Sequence, residues 1–386
     1  MRILYLQYTN PAAYPPLQHS SRILANDGWK VLFLGTGSHG ADALEFPPHP
    51  NVRVKRLPFC PAGWRQKLQY VQFAFWVFLW LLLWRPQWIY VSDPLACPIA
   101  LLLSFVPGLK MLYHEHDSPN LNWKHHASRF ESFVLRTRCK VAERASLCVL
   151  PNERRAQCFK RETDAHRLVL RVWNCPALEE VSQNDLQWNQ QEFVIFFHGS
   201  IVPSRLPATV LEALKKLPDR VVLRVAGYQT VGHAGYLQAL ENRARILGIG
   251  HRFTALGPFA FRSTLLDHCR DASVGLAFMP LRSHDMNEQA MAGASNKPFD
   301  YLACGLALLI SDLPEWKDLF VQPGYGLACD PQDPESIARQ LHWFVEHPVE
   351  TRSMGARGRQ RILSEWNYEK QFSPVLQHLE TRGVQA

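Results

Sequence analysis

The chain has 386 residues, 47% of them hydrophobic and 20% charged, with a formal net charge of +8 at pH 7. That balance excludes a disordered or fibrous chain, and the length calls for two domains rather than one. The basic charge suits anionic partners, but no Arg/Lys-rich run of the nucleic-acid-binding kind is present, which leaves a membrane surface or a phosphate ligand.

In chain order, the opening MRILYLQY lacks the features of a signal peptide and reads as a first strand. Short β-rich runs then alternate with helical segments, the pattern of parallel α/β sheets. Strands are predicted at Arg2–Tyr8, Lys30–Gly35, Val52–Leu57, Trp88–Ser92, Lys110–His114, Leu147–Leu150 and Leu168–Val172. Helices are predicted over Leu17–Asp27, Gln66–Trp84, Leu95–Phe105 and Trp123–Ala145. Within the second of these, Val71–Trp84 is an apolar run of 14 residues that sets Trp76, Trp80 and Trp84 on one face. It is too short to span a bilayer, which needs about 20 residues. Two readings stay open. One is a crossover helix buried in the core. The other is a peripheral membrane contact through residues 64–85, because Trp with flanking Arg65, Lys67 and Arg85 is typical of membrane interfaces.

A polar passage without periodicity, Pro176–Glu192, reads as an interdomain linker. The alternation restarts with strands at Phe193–His198, Val221–Ala226, Arg252–Ala255, Ala272–Phe278, Ala307–Ser311 and Gly326–Ala328. Helices are predicted at Leu206–Lys216, Tyr236–Leu247, Arg262–His268, Pro334–Glu346, Thr351–Leu363 and Tyr368–Thr381. The expected architecture is two doubly wound Rossmann-like α/β domains, over residues 1–180 and 190–365, facing a central cleft. Ligands of such sheets sit at the carboxyl ends of the strands. The nine cysteines have no C-x-x-C or zinc-like spacing and read as reduced thiols of a cytoplasmic protein.

Candidate chemistry concentrates at strand ends. In SNKPFDYLACGLALLISDLPEW (Ser295–Trp316), Lys297 and Asp300 lie on one face near a helix N-terminus. That terminus offers unpaired N–H groups and partial positive charge to a phosphate. The cation suits a diphosphate and the carboxylate a ribose diol; alternatively, Asp300 merely stabilises its own helix. Tyr113–Pro119 puts His114, Glu115, His116 and Asp117 in a row after a strand. Alternate residues of a strand face opposite ways, so few of these could meet on one metal ion, and no metal is assigned. His125 and His126 read as solvated helix-face residues. The first strand–helix turn, Tyr8–Pro16, has no glycine, which removes the dinucleotide fingerprint and disfavours a dehydrogenase. His19, just after it, is either an acceptor contact or a plain surface or capping residue. Phe193–Ser200 is a strand ending at Gly199, with Arg205 six residues on.

Ser295–Trp316 resembles the K-x-F-E-Y-x-A-x-G-x-P-V-I-x-S-D signature of GT-B glycosyltransferases of the retaining family 4 type. Val222–Gly227 and Phe253–Gly257 resemble two further strands of that family, and Tyr113–Asp117 its Y-D-x-H-E strand end. The resemblance covers Phe193 to Tyr368 well and the first half in outline. It implies a metal-independent transfer of a sugar from a nucleotide-diphosphate sugar to an acceptor hydroxyl, with retention and no cofactor. His116 and Asp117 would then be catalytic, with Gly199, Arg205, Asn296 and Lys297 on the donor diphosphate and Asp300 on the ribose. It also implies that the last segment, 366–386, crosses back to the first domain. The chain departs from the family in three places: the Tyr8–Pro16 turn lacks its Gly-Gly pair, Ser200 stands where it has Arg, and Ala292 where it has the first Glu of E-x7-E. Glu288 and Asp285, on an expected mobile loop, are the candidate substitutes for sugar contact. The acceptor is expected to be a glycan or lipid-linked, in cell-surface polysaccharide or glycolipid synthesis at the inner face of the plasma membrane. A sugar-nucleotide epimerase and a non-catalytic nucleotide-sugar or glycan binder are the alternatives.

Overall fold

The computed structural model describes residues 1–119, 128–183 and 191–383. His125, His126 and parts of the expected helix at 123–145 and of the 176–192 passage lie outside the described residues. The first half runs β1 (Arg2–Leu6), α1 (Pro15–Asn26), β2 (Lys30–Thr36), β3 (Val52–Leu57), α2 (Trp64–Trp84), β4 (Trp88–Val91) and α3 (Cys97–Leu103). It continues with β5 (Lys110–His114), α4 (Arg129–Arg144), β6 (Leu147–Leu150), α5 (Glu153–Thr163) and β7 (Val169–Arg171). These strands form one parallel sheet in the order β3-β2-β1-β4-β5-β6-β7. Helix α5 adds to the predicted elements; it is largely charged, buries little beyond Ala156, Cys158 and Phe159 among its apolar residues, and is capped by Asn152.

The second half holds β8 (Phe193–Ser200), α6 (Thr209–Lys215), β9 (Val221–Tyr228), α7 (Tyr236–Ile246), β10 (Phe253–Gly257), α8 (Arg262–Arg270) and β11 (Val274–Ala277). It continues with α9 (Met286–Gln289), α10 (Asn296–Ala303), β12 (Ala307–Ser311), β13 (Gly326–Cys329), α11 (Pro334–Glu346) and α12 (Pro348–Ser364). Its sheet is also parallel, in the order β10-β9-β8-β11-β12-β13. Central strands such as β1 and β12 are buried along most of their length, because helices cover both faces of a parallel sheet.

The last helix, α13 (Tyr368–Gly383), leaves the second sheet and packs on the first. Tyr368, Phe372, Val375 and Leu379 recur at helical spacing and are fully buried with Tyr5, Leu17 and Phe33. Each such side chain contributes about 1.5–3 kcal/mol through burial. The chain thus crosses between sheets twice, and the crossings touch: Tyr368 N donates to Pro176 O at 2.9 Å.

Two expectations change. The passage read as a featureless linker contains a short helical turn, Leu178–Glu180, followed by the fully buried Val181. Helix α2 is not enclosed: it buries only Phe73, Val77 and Leu81, while Trp64, Leu68, Val71, Phe75, Leu79, Leu82 and Leu83 are exposed.

Candidate active site

The carboxyl edges of the two sheets face a cleft of about 670 Å³. Its floor is set by two glycines. Strand β8 turns at Gly199 with φ +103°, and β9 ends beside it at Gly227 with φ +153°. A Cβ on Gly227 would lie 1.9 Å from Gly199 O, so no side chain fits there. A Cβ on Gly199 would lie 3.2 Å from Lys297 Nζ, which places the ammonium directly over this bend. Helix α10 begins here, with Asn296 and Lys297 in its first turn and Ser295 making no side-chain cap bond. Arg205 lines the same wall and donates to the Met279 thioether at 2.6 Å. Neither cation forms an ion pair among the described residues. Burial, then the charge of Arg205, pushes the Lys297 pKa down to about 7. Arg205, the Lys297 amine and a helix N-terminus make a ready site for an anion.

Asp300 lines the cleft but is fully buried, and its carboxylate is already engaged. Arg262 grips it with Nη2–Oδ1 at 2.5 Å and Nη1–Oδ2 at 3.0 Å, and His198 Nε2 lies 3.3 Å from Oδ2. The other side of Arg262 holds Glu180, with Nε–Oε1 at 2.7 Å, and Glu180 in turn meets His19 Nε2 at 3.0 Å. Burial raises the Asp300 pKa, with Arg262 opposing. Burial acts the same way on Glu180, but Arg262 and His19 hold that carboxylate below its usual range. A chain of ionisable side chains in contact thus runs from the cleft wall, through the crossing segment, to α1. This corrects the reading of His19. It does not line the cleft; it is buried on α1 between Glu180 and the Tyr368 ring.

On the opposite wall His116 is 5% exposed, and neither ring nitrogen has a hydrogen-bond partner among the described residues. Burial, then Arg155, pushes its pKa down to about 3, so it faces the cleft as a neutral ring. Its position is fixed by packing against the His114 ring, with centroids 3.9 Å apart, and by Arg155 Nη1 donating to its carbonyl at 2.6 Å. Asp117 lines the cleft, 66% exposed, with Arg155 Nη1 3.7 Å from its Oδ1. The adjacent Glu115 is turned away and clamped by Arg138, while His114 Nδ1 bonds Tyr90 Oη at 2.5 Å. The four titratable side chains of this run do not converge, and among the described residues no His/Cys/Asp/Glu group has a metal-binding arrangement.

Glu288 lines the cleft and accepts from Ser283 Oγ at 2.6 Å. The loop that carries it was expected to be mobile, yet it is tied to the first sheet's side. Arg155 donates to Asn287 O and Ala290 O, Asn152 Nδ2 donates to Ala290 O and Ala292 O, and Asn287 pairs with the Ser118 backbone. Asp285 caps α9 and is not part of the cleft lining. Ala292 faces a separate depression with Trp173 and Trp366, so the family's first carboxylate position does not meet this cleft. Arg262, Glu180, His198 and Arg155 escape a sequence reading, since their partners lie far along the chain. The one local hint is His198-Gly199 at a strand end.

Residues 17–176 match a family described as glycosyl transferase 4-like domain, and residues 208–377 one described as glycosyl transferase-like. The chain belongs to the GT-B glycosyltransferases. Solved structures similar to this glycosyltransferase include sucrose-phosphate synthase from Thermosynechococcus elongatus, with a TM-score of 0.72 at 16% identity, covering 100% of both chains. HepE of Anabaena in complex with UDP-glucose has a TM-score of 0.70 at 15% identity, covering 99% of this chain and 100% of that one. WaaG, a glycosyltransferase of lipopolysaccharide biosynthesis, has a TM-score of 0.67 at 13% identity, covering 96% and 98%. At these identities the likeness concerns the fold. No curated protein matches the sequence.

Proposed function

We propose that this glycosyltransferase takes its sugar from a nucleoside-diphosphate sugar and passes it, with retention, to a hydroxyl of a glycan or lipid-linked acceptor at the cytoplasmic face of a membrane. The observation that carries the donor reading is the convergence of Arg205, Lys297 and the α10 N-terminus over Gly199. Negative charge builds on the leaving diphosphate as the glycosidic bond breaks, so fixed cations and helix-terminal N–H groups there lower the barrier. HepE, similar in fold, was solved with UDP-glucose, which supports a nucleotide-sugar donor. Asp300 and Arg262 together form the wall that meets the ribose. Because both Asp300 oxygens already bind Arg262, the diol is met by their remaining lone pairs and the guanidinium edge. The neutral His116 contacts the sugar or the acceptor through one donor and one acceptor nitrogen, and its low pKa makes it a weak base. Asp117, at the cleft surface, handles the acceptor side, and Glu288 takes sugar hydroxyls in place of the family's first Glu. Retention rests on the family signature around Lys297 and Asp300.

Thermal stability against UDP-, GDP-, dTDP- and ADP-sugars tests the donor site. A ligand at about 100 times its Kd adds ~2.7 kcal/mol. A shift with one nucleotide family, lost in Lys297→Ala, is expected. No shift with any of them sinks the donor assignment. Donor consumption without acceptor and with release of an isomerised sugar nucleotide would favour an epimerase instead.

A further inference from the structure

The exposed face of α2 belongs to no part of the site. Trp64, Leu68, Val71, Phe75, Leu79 and Leu82 recur every three or four residues, so they form a single stripe along the helix. Phe75 is 74% and Leu82 71% exposed, values unusual for large apolar side chains on a structured helix. The opposite face, Phe73, Val77 and Leu81, is locked into the first sheet's core. By length and composition the 21-residue helix is apolar enough to cross a membrane. A spanning orientation would tear that buried face from the core, so the helix can only lie flat against an apolar phase.

The charges beside the stripe point to what that phase is. From Phe46 to Ser92 the chain carries Arg53, Lys55, Arg56, Arg65, Lys67 and Arg85 and no Asp or Glu. Edge strand β3 holds Lys55 Nζ 4.9 Å from the Trp80 ring and the Arg53 guanidinium 6.0 Å from that of Trp84, forming a cationic shoulder along α2. On the other side Phe130, at the start of α4, packs on Tyr70 and is itself 44% exposed, with exposed Phe133 behind it. An apolar stripe bordered by tryptophans and cations complements an acyl layer bordered by anionic headgroups.

We infer that α2 and β3 form a docking surface for an anionic lipid bilayer, with α2 lying in the interface plane. Helices that cross over between parallel strands run antiparallel to them. The Trp64 end therefore lies at the carboxyl edge of the sheet, where Tyr70 touches Tyr8, the neighbour of cleft-lining Thr9. Docking brings the rim of the cleft to the headgroup level. This surface does not depend on the donor assignment and can fail while donor binding persists.

The test is flotation of the full chain with phosphatidylcholine vesicles, with and without phosphatidylglycerol, at low and high salt. The wild type floats with the anionic vesicles, and high salt weakens this. Phe75→Glu with Leu79→Glu abolishes flotation while leaving the melting temperature and the nucleotide-sugar shift in place. Arg53→Ala with Lys55→Ala weakens it about fivefold per cation removed. Quenching of tryptophan emission by brominated acyl chains is expected for the wild type and needs no variant to fold. The inference is overturned if the wild type stays unbound and unquenched with anionic vesicles, or if the double glutamate variant floats as well as wild type. A wild-type dimer that the same variant dissociates would also overturn it, by placing a second copy on the stripe.

Discussion

Two buried arginines, Arg138 and Arg262, are built alike and do different things. Each is clamped between two carboxylates: Arg138 by Glu115 and Glu162, Arg262 by Asp300 and Glu180. The Arg138 cluster joins β5, α4 and α5 inside one sheet's layer, is sealed further by Tyr113 Oη donating to Glu115, and reaches no cleft residue. The Arg262 cluster spans the cleft wall, the crossing segment and α1. The same local chemistry thus serves as a rivet in one place and, in the other, as a connection between the cleft wall and the crossing segment. Where the carboxylates sit, not how strongly they bind, makes the difference.

Breaking each cluster separates the roles. Arg138→Met and Arg262→Met should each cost about 3–5 kcal/mol in denaturant unfolding, because each strands buried carboxylates. Only Arg262→Met should also weaken the donor, raising its Kd in the fraction that remains folded; equal donor affinity in both variants would erase the distinction. Lys297→Met should move stability the opposite way from both. It should weaken donor binding by about 1.5–3 kcal/mol, the worth of a charge-assisted hydrogen bond, while the empty protein melts higher. The sign follows from the lowered pKa of about 7 against 10.5. The folded chain binds fewer protons at Lys297 than the unfolded one, so its stability rises with pH across that window, and removing the amine removes the penalty below it. Donor affinity runs the other way, since the diphosphate selects the protonated amine. Calorimetry should show proton uptake on binding and up to about tenfold weaker Kd per pH unit above 7, flattened in Lys297→Arg. The smallest effect is expected from His19→Phe, about 1 kcal/mol of stability with donor affinity unchanged, as Glu180 keeps Arg262.

How much of this the sequence discloses follows from the range of each interaction. Strands such as Val52–Leu57 and Ala307–Ser311, and the α10 turn bearing Lys297 and Asp300, carry their signal within a few residues and are read directly. Glu180 lies in a polar passage that reads as linker, and Arg262 opens a predicted helix with no local mark of a partner. Their pairing spans 82 positions and leaves no periodic trace. His19 had equal claims as acceptor contact or plain residue until Glu180 was seen beside it. Composition could not decide α2 either, because an apolar helix has the same sequence whether its neighbour is protein or lipid.

The hydrogen bond from Tyr368 to Pro176 sets the two chain crossings side by side. A lid hung on a single tether can swing and twist freely. One hung on two adjacent straps turns about a single line, so the cleft can open by tilting but resists shear. If the two walls move about that line, Lys297 and His116, which both line the cleft, keep their register as it opens and closes.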